Sequence, residues 1–413
     1  MIKRNDIDLT APAGSFDSLM AAIQGGADSI YFGLGKLNMR ARSSYNFTEA
    51  DLDKITDICN EHNIRAYLAL NTALFDSELQ RIREIIDLAK KAGIHGVIVS
   101  DLAAIEYAHN AGMSVHISTQ ANISNIESLR FFSKYADVIV LARELNLKQI
   151  SDISKHIVKD KINGPSGDYV KIELFIHGAL CMSVSGKCYL SLHEHNYSAN
   201  RGECLQDCRR TYTVRDKETG FELDIENEHI MSPKDLCTIH FLDKILKAGV
   251  SVLKIEGRAR PPEYVKTVTE CYNEAIDSCL EGTFTKDKAD KWTERLSTVF
   301  NRGFWDGYYL GKKLGEWSDI YGSKATKRKI FIGKGVNYFD RIKVAEFTCE
   351  ASTLNVGDEI LITGPTTGVI QTIVKEIRVD LKNVSQTVQG QRFSIPIERL
   401  IRRSDKLFKI VDA

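Results

Sequence analysis

The stretch Ala92–Ser100, Ala-Gly-Ile-His-Gly-Val-Ile-Val-Ser, ends a helical segment in glycine and continues directly into a β-branched run. Glycine terminates helices because it adopts the left-handed conformation without steric cost, and a short continuous apolar run is typical of a buried parallel strand. The same joint recurs from Gly25, Ala111 and Ala248. These repeated helix-to-strand joints predict a parallel α/β fold.

Other segments extend this pattern in both directions. Further strands are predicted at Ile7–Ala11, Arg65–Leu70, Asp137–Leu141 and Val170–Ile176, and amphipathic helices at Thr48–His62, Ser77–Ala92 and Glu127–Tyr135. About eight alternating units favour a (β/α)₈ barrel over an open doubly wound sheet. We therefore predict a (β/α)₈-like catalytic domain over residues 1–322, with a Cys-rich segment at residues 177–240.

Polar side chains follow several of the predicted strands. Candidates for catalysis at these positions are Gln120, Glu144, His177 and Glu256, and candidates for binding substrate are Asn122, Lys254 and Arg258. In (β/α)₈ barrels the chemistry lies at this face, where the loops after the strands meet. Any one polar residue there can instead cap the next helix, but the charged and amide groups taken together favour a functional site.

From about Lys329 the pattern changes to short alternating strands separated by turn signals. This predicts a small all-β barrel over residues 323–413, joined to the first domain by the polar, basic segment Gly322–Lys329. With Leu-Asn-Val-Gly-Asp-Glu-Ile at residues 354–360, this tail resembles the second-domain barrel of translation elongation factors, a module associated with RNA. A docking or dimerisation module is the alternative.

The tail is also the basic part of the chain. The whole sequence has 55 Lys+Arg and 55 Asp+Glu, and from Lys324 onward there are 16 Lys+Arg against 10 Asp+Glu. The candidates for contacting RNA phosphates are Lys324, Lys327, Arg328 and Lys329. An excess of this size also occurs on ordinary solvated surfaces.

The sequence indicates neither a membrane segment nor a secreted protein. No apolar stretch is long enough to cross a bilayer, and the start of the chain lacks the apolar core of a signal peptide. We therefore expect a cytoplasmic protein with no membrane partner. In that compartment nine cysteines do not predict a disulfide framework, so metal binding or catalysis is the better interpretation. The sequence gives no indication of the oligomeric state.

Five of the nine cysteines fall between Cys181 and Cys237. The spacing Cys181-x6-Cys188-x15-Cys204-x3-Cys208 can wrap four thiolates around one soft metal centre, either a tetrahedral zinc ion or a [4Fe–4S] cluster. The wide first pair favours the cluster, because zinc sites are usually built from closely spaced cysteine pairs. Cys237 is the alternative to Cys208 as fourth ligand.

Several longer motifs point to a known family. They are Ala11-Pro-Ala-Gly14, Gly26-Ala-Asp-Ser-Ile-Tyr-Phe-Gly33, His177-Gly-Ala-Leu-Cys181 with Ser185-Gly-Lys-Cys-Tyr-Leu-Ser191, Arg201-Gly-Glu-Cys-Leu-Gln-Asp-Cys-Arg209, and Lys254-Ile-Glu-Gly-Arg258. With these motifs the chain resembles the collagenase-like peptidase family of unknown catalytic type, over nearly its whole length.

The resemblance implies two kinds of activity. The family is named for collagen degradation, whereas several members are oxygen-independent hydroxylases of transfer-RNA wobble uridine, ribosomal RNA or ubiquinone precursors, and these carry a four-cysteine [4Fe–4S] cluster. The members that act on RNA use prephenate as the implied oxygen source. In length and domain content the chain is most similar to the transfer-RNA hydroxylases, which implies formation of 5-hydroxyuridine in tRNA from a small anionic co-substrate. Hydroxylation of another RNA is an alternative.

The resemblance also implies roles for individual residues. The implied cluster ligands are Cys181, Cys188, Cys204 and Cys208, and the implied groups for the co-substrate or the base include Arg209, Lys254 and Arg258. A peptidase needs an activated nucleophile or an open metal site with a base, and the sequence shows neither pattern. A zinc-stabilised RNA-binding protein without chemistry is a third possibility.

Overall fold

The computed structural model describes residues 3–42, 46–213, 215, 217–219, 229–311 and 315–413. The first sheet contains β1 (Asp8–Pro12), β2 (Ser29–Gly33), β3 (Arg65–Leu70), β4 (Gly96–Val99), β5 (Ser114–Ile117), β6 (Val138–Val140), β7 (Lys171–Gly178), β8 (Asp235–Cys237), β9 (Val252–Ile255) and β10 (Phe304–Trp305). The helices are α1 (Phe16–Gln24), α2 (Leu52–Glu61), α3 (Leu79–Lys91), α4 (Leu102–Asn110), α5 (Ile126–Phe132), α6 (Leu147–Lys159), α7 (Leu190–His195), α8 (Leu242–Lys247), α9 (Pro262–Leu280) and α10 (Lys286–Ser297).

Eight parallel strands, β1 to β7 and β9, form a closed barrel. Each strand pairs with its neighbour, and β9 closes the ring because Val252 lies between Asp8 of β1 and Glu173 of β7. Residues on strands such as β2 and β4 are buried at every position, since the barrel interior covers one face and the helices cover the other. The predicted (β/α)₈ barrel is therefore confirmed.

The glycine joints form as the sequence predicts. Gly93, Gly112 and Gly249, which follow α3, α4 and α8, have φ values of 81°, 73° and 89°. At the other helix ends, Ser15 and Asp101 accept hydrogen bonds from the backbone of the first turn of α1 and α4. Some polar residues after the strands therefore do serve as caps.

Two short strands extend the barrel wall beyond the carboxyl end of β7. In β8, Cys237 pairs antiparallel with His177, and β10 then runs parallel to β8. The predicted Cys-rich segment 177–240 lies between β7 and α8, apart from residues 214, 216 and 220–228, which are outside the described residues. Strands of two or three residues have no recognisable period, so the sequence pattern does not predict them.

The tail forms a second, wholly antiparallel sheet. Its strands are β11 (Lys327–Phe339), β12 (Val344–Cys349), β13 (Glu359–Gly364), β14 (Gly368–Ile373), β15 (Ile377–Val379), β16 (Lys382–Val384), β17 (Arg392–Pro396) and β18 (Lys406–Asp412). They are ordered β14-β13-β18-β11-β12-β17-β15-β16. A separate apolar core, which includes Ile332, Phe347 and Phe393, lies inside this sheet. The prediction of an all-β tail is confirmed.

The tail sheet packs against helices α1 and α9 of the barrel. Leu361 and Val369 are each 1% exposed and belong to the apolar core of the first domain. The side chain of Gln24 donates to Thr367 O at 2.9 Å and accepts from Val369 N at 2.8 Å. The tail sheet is therefore joined to the barrel helices by both apolar packing and hydrogen bonds. Among the described helices, none combines the length and the apolar character needed to span a membrane.

Candidate active site and metal centre

A cavity of about 210 Å³ lies at the carboxyl end of the barrel strands. Some of its lining residues come from the barrel strands, including Tyr31 of β2, Phe175 of β7 and Lys254 of β9. Others come from the Cys-rich segment between residues 180 and 208. The cavity thus lies at the face where (β/α)₈ barrels carry their chemistry.

The cavity is lined by all four cysteines predicted as cluster ligands: Cys181, Cys188, Cys204 and Cys208. The segment that carries them is anchored by Arg201, which donates to Glu78 Oε2 at 2.8 Å and to Ala73 O at 3.0 Å. Next to it, Gly202 has φ 82°, and a Cβ there would lie 2.1 Å from Asn38 O. This close approach to the barrel therefore requires glycine.

Backbone N–H groups bond to three of these sulfurs. Cys181 Sγ accepts from the N–H two residues later at 3.4 Å, and Cys188 Sγ does the same at 3.5 Å. Cys204 accepts from Gln206, again two residues later. Such bonds favour the thiolate and tune metal–thiolate centres.

The electrostatics of the thiols fit a bound cation. Burial raises the pKa of Cys208 to about 11, Arg209 opposes this, and the other three cavity cysteines raise it further. Burial also raises the pKa of Cys204. Thiols whose ionisation is opposed in this way become thiolates when a positive metal centre binds them.

The four cavity thiols are a donor set that fits a soft metal centre. Among the described residues, no three of the four Sγ atoms all lie within 4.8 Å of one another. Tetrahedral zinc with Zn–S bonds of about 2.3 Å holds its sulfurs only about 3.8 Å apart. A cubane cluster spreads them further, because each cysteine binds a different iron. The donor set present here fits such a cluster.

Cys237 lies apart from the other four cysteines. It is 3% exposed on β8, its Sγ is 3.9 Å from the hydroxyl of Tyr272, and it does not line the cavity. Burial raises its pKa to about 11. The geometry therefore groups Cys208, and not Cys237, with the other three thiols.

Arg209 lies behind the cavity wall and not in the cavity. Its guanidinium donates to Leu180 O and Pro233 O, each at 2.6 Å, and to Ser232 Oγ at 3.0 Å. Burial lowers its pKa to about 10. Because Leu180 precedes Cys181, the first of the four cavity cysteines, Arg209 positions the Cys-rich segment against residues 232–233. It is not placed to contact a small substrate.

Asn122 also positions the Cys-rich segment. It has φ 54°, and its Oδ1 accepts from Ser185 Oγ at 2.8 Å. Ser185 itself has φ 47° and lies between Cys181 and Cys188, the first two cavity cysteines. The predicted substrate-binding role of Asn122 therefore has no support in its placement, because its side chain is engaged with a loop residue and does not line the cavity.

Gln120 lies in the cavity with a fixed amide orientation. Its Oε1 accepts from Ser118 Oγ at 2.6 Å and from Asn71 Nδ2 at 3.3 Å. The amide nitrogen lies on the side of Gly186, where a Cβ would be only 2.9 Å from it. Gln120 therefore presents a donor to the cavity.

Glu256 is held ionised in the cavity wall. Its Oε1 accepts from Arg40 Nε at 3.0 Å and from Nη2 at 2.8 Å, and its Oε2 accepts from Tyr31 Oη at 3.1 Å. Burial alone opposes ionisation, but Arg40, Arg143 and Arg258 outweigh it and lower the pKa of Glu256 to about 2. A carboxylate with this pKa is a poor general base at neutral pH.

Two arginines leave donors free for a ligand. Arg258 is 5% exposed, and its Nε and Nη1, like Nε of Arg143, have no hydrogen-bond partner among the described residues. Both line the cavity. At Gly33 a Cβ would lie 2.3 Å from Arg258 Nη1, so glycine makes room for this guanidinium. Unsatisfied buried donors of this kind point to an anionic or acceptor-rich ligand.

Lys254 is a cavity cation tied to the barrel interior. Its Nζ is 2.5 Å from Glu173 Oε1 and lies 4.5 Å from the ring centre of Tyr31. Burial raises the pKa of Glu173, but Lys254 and His116 outweigh this and lower it to about 2. Lys254 therefore contributes positive charge at a fixed position.

His177 does not line the cavity. Between Phe175 and His177 the pairing with β9 shifts by one residue, so Phe175 pairs with Lys254 while His177 pairs with Ile255. This bulge reverses the side on which the histidine lies. The ring is 1% exposed, and burial, with a smaller effect of Arg260, lowers its pKa to about 3.

The remaining predicted residues lie at the rim, in the linker or at the start of β11. Glu144 is exposed and lines the cavity. Lys324 in the linker pairs with Asp319. Strand β11 begins at Lys327, earlier than predicted, and in it Lys327 pairs with Glu359 and Lys329 Nζ is 2.7 Å from Glu263. Arg328 is exposed. Three of the four predicted RNA-contact residues thus already have a carboxylate partner.

Several residues that line the cavity were not among the predicted site residues: Tyr31, Arg40, Asn71, Arg143, Trp305, Tyr308 and Trp317. Arg143 could have been predicted as a site residue, because it follows the end of β6. Arg40 lies in a loop with no pattern of its own. Trp305 is 4% exposed, and its Nε1 is a further donor without a partner among the described residues.

Comparison with known proteins agrees with this architecture. Peptidase family U32 matches residues 14–319. The chain is 59% identical over 405 residues to a Porphyromonas gingivalis protein named collagenase, with 98% of each chain covered. It is 28% identical to a tRNA hydroxylation protein of Bacillus subtilis, covering 94% of this chain and 92% of the relative. It is 32% identical to a 23S rRNA 5-hydroxycytidine synthase of Escherichia coli, covering 76% of this chain and 47% of that protein.

Fold, cavity and relatives together define a (β/α)₈-barrel enzyme with a cysteine-rich wall. The chain belongs to peptidase family U32. The predicted family resemblance is thereby confirmed, and the relatives include proteins named for peptidase activity and proteins named for RNA hydroxylation.

Proposed function

We propose that this protein is an iron–sulfur-dependent RNA hydroxylase that converts tRNA wobble uridine to 5-hydroxyuridine, with prephenate as the oxygen donor. The observation that carries the proposal is the composition of the cavity. Four thiols and four cations, Arg40, Arg143, Lys254 and Arg258, line the same space. Thiols suit a soft metal centre, and cations with free donors suit an anionic co-substrate.

The proposed reaction replaces C5–H of the uracil by C5–OH, which removes two electrons from the base. A C–O bond of the co-substrate breaks, its oxygen passes to C5, and the co-substrate takes up the two electrons together with the displaced hydrogen. When bound, a [4Fe–4S] cluster at Cys181, Cys188, Cys204 and Cys208 supplies redox chemistry. Arg258 and Arg143 bind the carboxylates, and Glu256 holds Arg40 beside the thiols. An unpaired wobble base reaches a cavity of this kind without breaking a duplex.

A peptidase is the second candidate, favoured by the 59% identical relative named collagenase. The cavity offers little for that chemistry. None of its described lining residues is a histidine, and the Ser118 hydroxyl donates to Gln120, which is not a base. Acyl transfer by serine or cysteine needs a base within hydrogen-bond reach of the nucleophile.

The test is hydroxylation by the full-length protein, purified and reconstituted without oxygen. Unmodified tRNA is incubated with the protein and prephenate, and nucleosides are measured by mass spectrometry. We expect 5-hydroxyuridine only with prephenate present, and none with Cys204→Ser. Unchanged wobble uridine hydroxylation in a deletion strain would contradict the proposal. Gelatin cleavage that is abolished by one substitution in the cavity would favour the peptidase instead.

A further inference from the structure

Resting on the proposed RNA substrate, we propose that a patch on the tail sheet, formed by residues 339–343 and 397–403, docks the phosphate backbone of that RNA outside the cavity. This patch, called here the tail patch, lies beyond the basic linker. We place the RNA contact on the tail patch and not on the predicted lysines, because Lys324, Lys327 and Lys329 are already paired with carboxylates.

The two segments of the tail patch are held side by side. Ile397 N donates to Lys343 O at 2.9 Å, and Tyr338 Oη donates to Ile397 O at 2.8 Å. At the base of the patch, Ser404 N donates to Gly335 O at 2.8 Å. Side chains from both segments therefore form one continuous surface.

Free positive charge distinguishes this surface. Its exposed arginines, none of which forms an ion pair with a described carboxylate, are Arg341, Arg399, Arg402 and Arg403. The two segments hold these arginines and Lys343 against only Asp340 and Glu398. Asp340 is paired with Lys343 at 2.7 Å.

Exposed apolar side chains lie among these arginines. Phe339 is 45% exposed, Ile342 is 67% exposed and Leu400 is 43% exposed. Arginines that neutralise phosphates, next to an aromatic ring on which a base can stack, are the combination that proteins use for single-stranded nucleic acid. Charge complementarity and the ring together favour RNA over an acidic protein surface.

The tail patch lies close to helix α1 of the barrel. The patch ends at residue 403, and Lys406, three residues on, interacts electrostatically with Asp17 in the first turn of α1. This turn directly follows the carboxyl end of β1, where the cavity lies. Between the patch and Lys406, Asp405 accepts from the hydroxyl of Thr367, and the carbonyl of Thr367 accepts from Gln24, the last residue of α1. The patch therefore adjoins the part of the tail sheet that packs on α1.

The test compares two double variants of the full-length protein. Arg399→Gln/Arg402→Gln removes two charges from the tail patch. Lys159→Gln/Lys171→Gln removes two exposed charges at the amino end of β7, on the opposite face of the barrel. Affinity for unfractionated tRNA is measured between 50 and 200 mM salt, which is the range over which phosphate contacts weaken strongly.

We expect the tail-patch variant to bind tRNA roughly tenfold more weakly, with the slope of log affinity against log salt reduced by about 2, or about one per phosphate contact. The control variant keeps the wild-type affinity and slope. Phe339→Ala is expected to weaken binding roughly fivefold or more without changing the slope.

Two results overturn this inference without affecting the proposed function. One is wild-type affinity and salt slope in the tail-patch variant while the protein still hydroxylates tRNA. The other is equal binding of anionic lipid vesicles or of an acidic polypeptide through the same arginines. If the wild-type protein hydroxylates no RNA in the mass-spectrometric assay, the proposed function itself fails.

Discussion

Arg40 and Glu256 lie 216 residues apart in the sequence and meet in the cavity, where both Nε and Nη2 of the arginine donate to one carboxylate oxygen, Oε1. The second oxygen is bonded to Tyr31. Arg40 also interacts electrostatically with Cys181 and Cys204. Glu256 thereby acts as a positioning residue that keeps a cation beside the thiols.

Glu256→Gln is expected to release Arg40. The variant keeps the size of the side chain but loses its charge, so it should lose about 1.5–3 kcal/mol of unfolding free energy, as for other charged hydrogen bonds. We expect hydroxylation to fall at least tenfold while iron content stays near wild type. Glu127→Gln, at an exposed carboxylate on α5 away from the cavity, is the control. Full activity in Glu256→Gln would exclude this role.

Substitutions of Cys208 and Cys237 test which of the two is the fourth metal ligand. Cys208→Ser removes a cavity thiol, whereas Cys237→Ser removes a buried thiol outside the cavity. We expect Cys208→Ser to lose most bound iron and sulfide after anaerobic reconstitution, because a serine hydroxyl is a poor replacement for a thiolate. Cys237→Ser should keep both. The opposite pattern would make Cys237 the fourth ligand.

Most of the barrel was predictable because its signals are local. Glycine after a helix and an apolar run of about five residues identify a helix-to-strand joint without any tertiary information, as at Gly93 and Gly249. By contrast, β8 and β10 pair only a few residues each. β8 pairs with β7 and β10 pairs with β8, and both pairings join residues far apart in the sequence, so no local pattern reveals these strands.

The candidate site was predicted less completely, for geometric reasons. A residue at a strand end faces the cavity or the helices according to strand alternation, and the bulge before His177 reverses that alternation. Cysteine clustering is visible in the sequence, so all four cavity thiols were identified. Arg40 was not identified, because its role depends on a hydrogen bond to Glu256 that only the folded chain brings about.

His177 allows a prediction for pH. Burial holds its pKa near 3, against an ordinary value of 6.5, so the folded protein keeps the ring neutral while the unfolded chain takes up a proton below pH 6.5. Stability is therefore lost as pH falls below 6.5. Between pH 7.5 and 5.5, denaturant unfolding should show that wild type loses about 1.4 kcal/mol more than His177→Gln. Identical losses would show that the ring titrates normally.

The unpaired donors of Arg258 and Arg143 lead to a prediction for the affinity of the co-substrate. Arg258→Gln should raise the KM for prephenate at least tenfold, because it removes buried donors that nothing else in the described chain satisfies. In wild type, prephenate should raise the melting temperature, since a ligand that binds only the folded state stabilises it. The variant should show no such shift at the same concentration. Arg81→Gln, on the exposed surface of α3, serves as control.

The contact between Gln24 and the tail sheet leads to the last prediction. If the tail patch holds RNA while its base enters the cavity, both sheets must keep a fixed relative position. Gln24 bonds to Thr367 and Val369, and Val369 is buried against the barrel core. Val369→Ala with Gln24→Ala loosens this interface while leaving all four thiols and the tail patch intact. We expect unchanged iron content and nearly unchanged tRNA affinity, but a kcat for hydroxylation reduced about tenfold, because fewer bound molecules present the base correctly. A wild-type kcat with weakened affinity would instead indicate that the interface serves binding alone.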